Sequence, residues 1–206
     1  MIHKISAAHL TIEEVGAILE NHATLELSDD ARQRIVRCRK YLDKKIAESD
    51  VPIYGVTTGF GSLCNVSVDK DRLAQLQVNL IMSHACGVGS RVPNDIVKIM
   101  LFLKAQSLSY GYSGCQVETV ERLIDFSNND VYPVVYTQGS LGASGDLVPL
   151  AHLCLPLLGM GEVEYKGERM SGKALLQKMN WEPIQLASKE GLALLNGTQN
   201  MNAYAV

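Results

Sequence analysis

Ser140-Leu141-Gly142-Ala143-Ser144-Gly145-Asp146-Leu147-Val148-Pro149-Leu150-Ala151-His152 joins a glycine-studded turn to an apolar run that continues to Leu158 and stops at Gly159. The turn carries too many glycines for a helix. The run is interrupted by His152 and two prolines, and is far shorter than the ~20 residues that cross a bilayer. Ala143-Ser144-Gly145 has a chemistry of its own. If a tight bend presses the Gly145 nitrogen onto the Ala143 carbonyl carbon, loss of one water closes a five-membered ring. Loss of a second water from Ser144 leaves an exocyclic methylidene, an electrophile made from the chain. Gly145 has no Cβ to block the approach, Ala143 is small, and Ser144 supplies the departing hydroxyl. Asp146 either assists proton transfer or caps the next helix. The turn also approaches the G-x-S-x-G nucleophile elbow, but Asp146 stands at its last glycine and no strand-helix alternation surrounds it, which disfavours a serine hydrolase. Taken alone, the tripeptide reads most simply as a packed turn.

Upstream, helices are predicted. Thr11 and Glu14 form a capping box before Ile12, Val15, Ile18 and Leu19. Ser28 caps a longer helix with Ile35, Cys38, Leu42 and Ile46 on one stripe and bases on the other face. Residues 50–61 hold three glycines and a proline and form a structured loop. Asp69 caps a helix with Leu73, Leu76, Leu80 and His84 on one stripe, and Pro93 opens another with Ile96, Ile99, Met100 and Leu103 inward. A further helix spans about 116–126. Downstream, Val131–Tyr136 reads as extended, and Glu162–Tyr165 with Glu168–Met170 as a hairpin about Lys166-Gly167. Short helices follow near 173–179 and 188–195. Met100, Phe102 and Trp181 read as packing residues. The fold class is mainly α with minor β structure.

The 206 residues carry 22 acids and 19 bases, a formal charge of −3, which speaks against a nucleic-acid or anionic-lipid partner. Cys38, Cys64, Cys86, Cys115 and Cys154 are odd in number and scattered, which predicts reduced thiols in a cytoplasmic protein. The histidines show no metal-ligand spacing, so no metal is expected. No apolar region marks a secretory signal at the N-terminus, and no membrane association is expected.

The stretch 140–152 resembles the signature of the aromatic amino acid ammonia-lyases and aminomutases, whose 4-methylidene-imidazol-5-one group (MIO) forms autocatalytically. Three other stretches agree in order. Tyr54-Gly55-Val56-Thr57-Thr58-Gly59-Phe60-Gly61 resembles the family's catalytic tyrosine loop, 77–89 its substrate-selectivity helix, and Gly191 to Gln199 its asparagine segment. The resemblance implies an N-terminal globular head domain over 1–206 of the fumarase/aspartase-like ammonia-lyase fold, without the C-terminal helical bundle. It implies that Ala143-Ser144-Gly145 makes the MIO, that Tyr54 is the base for the β-proton, and that Asn196 positions electrophile and carboxylate. Gly61, Ser83 and His84 would contact substrate. A phenol with its usual pKa of about 10 is a weak base at neutral pH, so its glycine loop must favour phenolate, and the loop would also serve as a lid.

The Ser83-His84 pair points to L-histidine, deaminated to urocanate. Some tyrosine ammonia-lyases and aminomutases also carry the pair, the phenylalanine enzymes usually have an apolar pair there, and Thr57 stands where many histidine lyases have asparagine and the phenylalanine branch often has threonine. A tyrosine ammonia-lyase or aminomutase is the alternative, and a non-catalytic binding or scaffold head domain is the alternative from another class. The bland readings are a core histidine at His84, a structural tyrosine at Tyr54 and a helix C-cap at Asn196. The resemblance further implies a homotetramer whose neighbouring subunits complete the site. The chain ends at Tyr204-Ala205-Val206 without a stop signal, which predicts a fragment that is inactive alone.

Overall fold

The computed structural model describes residues 1–49, 51–61, 66–141 and 143–206. Asp50 and Gly142 of the two loops, and Cys64 among the expected thiols, lie outside the described residues. The chain opens with β1 (Ile2–Ile5), α1 (Ile12–Glu20) and β2 (Thr24–Leu27), with β1 and β2 paired in parallel across the α1 crossover. Thr11 Oγ1 accepts the Glu14 N–H while Glu14 accepts the Thr11 N–H, so the predicted capping box forms. Asn128 supplies β2 with a side-chain partner: Oδ1 accepts from Leu25 N at 2.8 Å and Nδ2 donates to Leu25 O at 2.9 Å.

Ser28 caps α2 (Asp29–Glu48) as expected. Its basic face is not wholly solvated: Arg39 is buried and donates to the carbonyls of Gly114 and Ser188. Asp69 does not cap the next helix with its side chain. A 3-10 turn, Lys70–Arg72, intervenes, and α3 (Leu73–His84) starts behind Arg72 with no side-chain cap.

After β3 (Val88–Arg91), α4 (Asn94–Ser109) runs through the core. The predicted stripe at Ile96, Ile99 and Leu103 is only partly buried; Val97, Leu101, Phe102, Ala105 and Leu108 join Met100 inside. A helix enclosed on most sides has no single apolar face, so periodicity locates it without orienting it. It packs on α5 (Val117–Asn128) and on α9 (Gln199–Ala203). Phe126 stacks on Trp181 at 5.9 Å.

The stretch 131–136 divides. β4 (Val131–Pro133) pairs with β6 (Glu162–Tyr165), which pairs with β7 (Glu168–Ser171), whereas β5 (Tyr136–Gln138) pairs with β3. Lys166 and Gly167 both have positive φ, as a tight hairpin turn demands. α6 (Leu147–Cys154) continues as a 3-10 turn, Leu155–Leu158, ended by left-handed Gly159. α7 (Gly172–Met179) and α8 (Glu190–Leu195) follow. Cys38, Cys86, Cys115 and Cys154 are free thiols. Among the described residues no helix is long and apolar enough to cross a membrane, and no acid, His and Cys cluster is placed to hold a metal.

Candidate active site

Helix α8 is where the four motif segments meet. Its first turn is fixed by Glu190, which is fully buried and accepts hydrogen bonds from Gln116 N, Gln116 Nε2, Thr119 Oγ1 and Ala187 N at 2.7–2.8 Å. Such donors replace the water that burial removes. Gly191 lies against α3: its N–H donates to Gln77 Oε1 at 3.0 Å, and a Cβ there would meet Gln77 O at 2.8 Å. The tyrosine loop lies on the same helix, since a Cβ on Gly55 would meet Leu192 Cδ2 at 2.9 Å.

Beyond α8 the chain returns to the 143–146 turn. Gly145 and Gly197 form an isolated parallel bridge: Asp146 N–H donates to Gly197 O at 2.7 Å, and Gly197 N–H faces Ser144 O at 3.5 Å. Gly145 has φ +97°, and a Cβ on it would collide with the Gly197 carbonyl. A glycine is required on both counts. Ala143 and Ser144 are exposed. Asp146 does not cap α6 with its side chain; Oδ2 accepts the Met201 N–H at 2.9 Å and ties the turn to α9.

Tyr54 is 62% exposed, and its hydroxyl accepts from the exposed Gly61 N–H at 3.5 Å. Its loop is braced from within: Thr57 Oγ1 accepts from Ile53 N at 2.8 Å, and Thr58 Oγ1 accepts from Gly55 N at 3.2 Å. Ser83 and His84 end α3. His84 Nδ1 lies 2.9 Å from Leu80 O and 3.1 Å from Ser83 Oγ. A carbonyl only accepts, so this network assigns the proton to Nδ1 and leaves Nε2 as an acceptor. Asn196 ends α8 with Nδ2 donating to Leu192 O at 2.9 Å. The structure thus gathers the segments around α8, while Tyr54, His84 and the Asn196 amide form no hydrogen bond to the 143–145 turn among the described residues.

The motif reading gives no role to three residues, of which Gln77 and His152 lie within its segments and Lys104 does not. Gln77 links α3 to α8, and His152 Nε2 accepts the Gly87 N–H at 2.9 Å. Lys104, 1% exposed, donates to the Asn196 carbonyl at 2.8 Å. Its signal was legible as a lone cation between Leu103 and Ala105 in the apolar run of α4.

Burial pushes the Lys104 ammonium down to about 8 and the Cys115 and Cys154 thiols up to about 12, against ordinary values of 10.5 and 9.0. Between pH 8 and 10.5 the unfolded chain keeps the lysine proton that the folded chain has lost, so that group's stability contribution rises with pH. Above pH 9 the unfolded thiols ionise and the folded ones do not, so theirs falls. Each group contributes on the order of 1 kcal/mol per pH unit in its window; Lys189, also lowered by burial, adds to the rise, Tyr132, pushed up to about 12 by burial, adds to the fall, and the three falling groups outweigh the two lysines. Urea midpoints measured from about pH 7.5 to 11 are expected to peak near pH 9, where the thiols begin to ionise. A steady fall across the series would contradict the burial of Lys104.

A mainly helical unit that stitches an exposed Ala-Ser-Gly turn to the end of a neighbouring helix has relatives of known class. The aromatic amino acid lyase family profile matches residues 10–206, and the chain belongs to that family. It is 50% identical over 194 residues to the histidine ammonia-lyase of Deinococcus radiodurans, covering 94% of this chain and 37% of that one. The chain therefore spans well under half the length of such relatives. Histidine ammonia-lyase from Trypanosoma cruzi superposes with a TM-score of 0.86 at 35% identity, covering 98% of this chain and 39% of that one. Tyrosine aminomutase from Streptomyces globisporus superposes at 0.89 with 33% identity, covering 98% and 38%.

Proposed function

We propose that the protein containing this chain removes ammonia from L-histidine without oxidation, giving urocanate, and that residues 1–206 are its head domain. The observation that carries the reading is the joint of Gly145 with Gly197. It bends the chain at a residue whose missing Cβ leaves the Gly145 nitrogen open, beside a small Ala143 and an exposed Ser144 hydroxyl. These residues fit the MIO. Its formation joins Gly145 N to the Ala143 carbonyl carbon and expels two waters, one carrying the Ala143 oxygen and one the Ser144 hydroxyl. Once formed, the group offers an electron-poor carbon that turns the substrate amine into a leaving group.

The rest of the chemistry falls to side chains. Tyr54, acting as its phenolate, takes the β-proton at its phenolic oxygen and becomes the neutral phenol, with the Gly61 N–H beside it. His84, its Nδ1 held by Leu80 O, presents Nε2 as an acceptor for the N–H of the substrate imidazole, and Ser83 secures that tautomer. Asn196 orders the end of α8 next to Gly197. Asn196 helps position the substrate carboxylate, and the further groups for that carboxylate come from outside these residues, in a cytoplasmic homotetramer. Identity to histidine ammonia-lyases supports the substrate. Likeness to a tyrosine aminomutase favours the second reading, a tyrosine ammonia-lyase or aminomutase.

Two measurements on the protein expressed from its complete reading frame test this. Its intact mass should lie roughly 36 Da below the sequence value, the two expelled waters. Ultraviolet assays with histidine, tyrosine and phenylalanine should show urocanate formation fastest. An uncondensed mass would leave only a non-catalytic head domain.

A further inference from the structure

Lys104 is spent on a single contact. It sits on α4 among Leu101, Ala105 and Leu108, and its one hydrogen bond among the described residues goes to the Asn196 carbonyl. The titratable groups that act on it are the thiols of Cys154 on α6 and Cys115 before α5, both kept neutral by burial. No carboxylate pairs with it among the described residues. A buried ammonium with three N–H groups, one acceptor and no counter-ion costs stability, and an apolar side chain of similar volume would be the more stable choice.

That contact controls one peptide plane. The Asn196 carbonyl and the Gly197 N–H belong to the same amide. The N–H faces Ser144 O at 3.5 Å, while the next carbonyl, of Gly197, accepts the Asp146 N–H at 2.7 Å. Fixing the Asn196–Gly197 plane thus fixes both strands of the joint. Donation to the carbonyl also polarises the amide and strengthens its N–H as a donor. The Ser144 carbonyl lies between the Ala143 carbon and the Gly145 nitrogen, the two atoms that must meet.

We propose that Lys104 is a positioning residue that clamps the Asn196–Gly197 peptide onto the Ser144 carbonyl, and that condensation of Ala143–Gly145 depends on this clamp. The second half rests on the function proposed above; the first does not. The clamp works through the charged lysine. Ring closure still joins Gly145 N to the Ala143 carbonyl carbon with loss of two waters, and it needs no oxidant.

The test uses Lys104→Met and Lys104→Arg in the protein from its complete reading frame. Lys104→Met should fold with a thermal midpoint at or above that of the parent, retain both waters by intact mass, and exchange its Asp146 and Gly197 amide hydrogens about tenfold faster or more. Lys104→Arg, which keeps a charged donor, should recover part of the water loss; a merely structural lysine would show no such rescue. Should the Met variant not fold, Lys104→Gln removes the charge with a polar group, and the same readings apply. A folded, uncharged variant that loses both waters as fully as the parent would overturn the dependence. Unchanged exchange at Asp146 and Gly197 would overturn the clamp. If the parent itself keeps both waters, the condensation reading fails separately, and the exchange rates still decide whether Lys104 holds the joint.

Discussion

Gly145→Ala is expected to leave the 143–145 turn uncondensed and to lower kcat/KM by about 10³-fold or more, at least roughly 4 kcal/mol of transition-state stabilisation. Two costs coincide at this position. Alanine resists φ +97°, and its Cβ would collide with the Gly197 carbonyl. Relief of the collision means parting Gly145 from Gly197, which is the joint that bends the turn. Intact mass should then show both waters retained. Gly167→Ala separates the two costs. Gly167 has φ +78° at the tip of the β6–β7 hairpin, where an added methyl would meet nothing within 4 Å. That variant should lose about 1 kcal/mol of stability and keep its turnover. Equal turnover in Gly145→Ala and the parent would remove the turn from the chemistry.

Tyr54→Phe should lower kcat by about 10²- to 10⁴-fold, the range for loss of a positioned proton acceptor. The ring should still form, so the mass deficit should persist, and KM should change little. Stability should hold to within about 0.5 kcal/mol, because the hydroxyl is exposed and its partner, Gly61 N, is 3.5 Å away. A Phe variant that turns over at the parent rate would show that the proton goes elsewhere. A variant that lost the mass deficit would place Tyr54 in ring formation instead.

Much of the site was readable because its motifs are local. Ala143-Ser144-Gly145 alone reads as a packed turn, and only its place among four ordered motif segments suggested a chemistry for it, whereas the capping box at Thr11 closed as its spacing implied. Readings failed where a side chain had a distant competitor. Asp146 turned to the Met201 amide rather than to α6, whereas Asp69 yielded to a local 3-10 turn at Lys70–Arg72. Arg39 belongs by sequence to a solvated basic face, yet carbonyls from the segments at Gly114 and Ser188 draw it inside.

The helix starts at Thr11 and Ser28, the 166–167 turn and the glycine loops were determined by the sequence alone, because caps, positive φ and missing Cβ atoms act within a few residues. The parallel pairing of β1 with β2, the division of 131–138 between two sheets, the seat of the tyrosine loop on α8 and the meeting of Gly145 with Gly197 were decided only by the tertiary structure. So was the bond from Lys104 to Asn196, 92 residues away. Each depends on which buried surfaces close over which polar groups, and a donor's need for a partner does not name that partner until the core has packed.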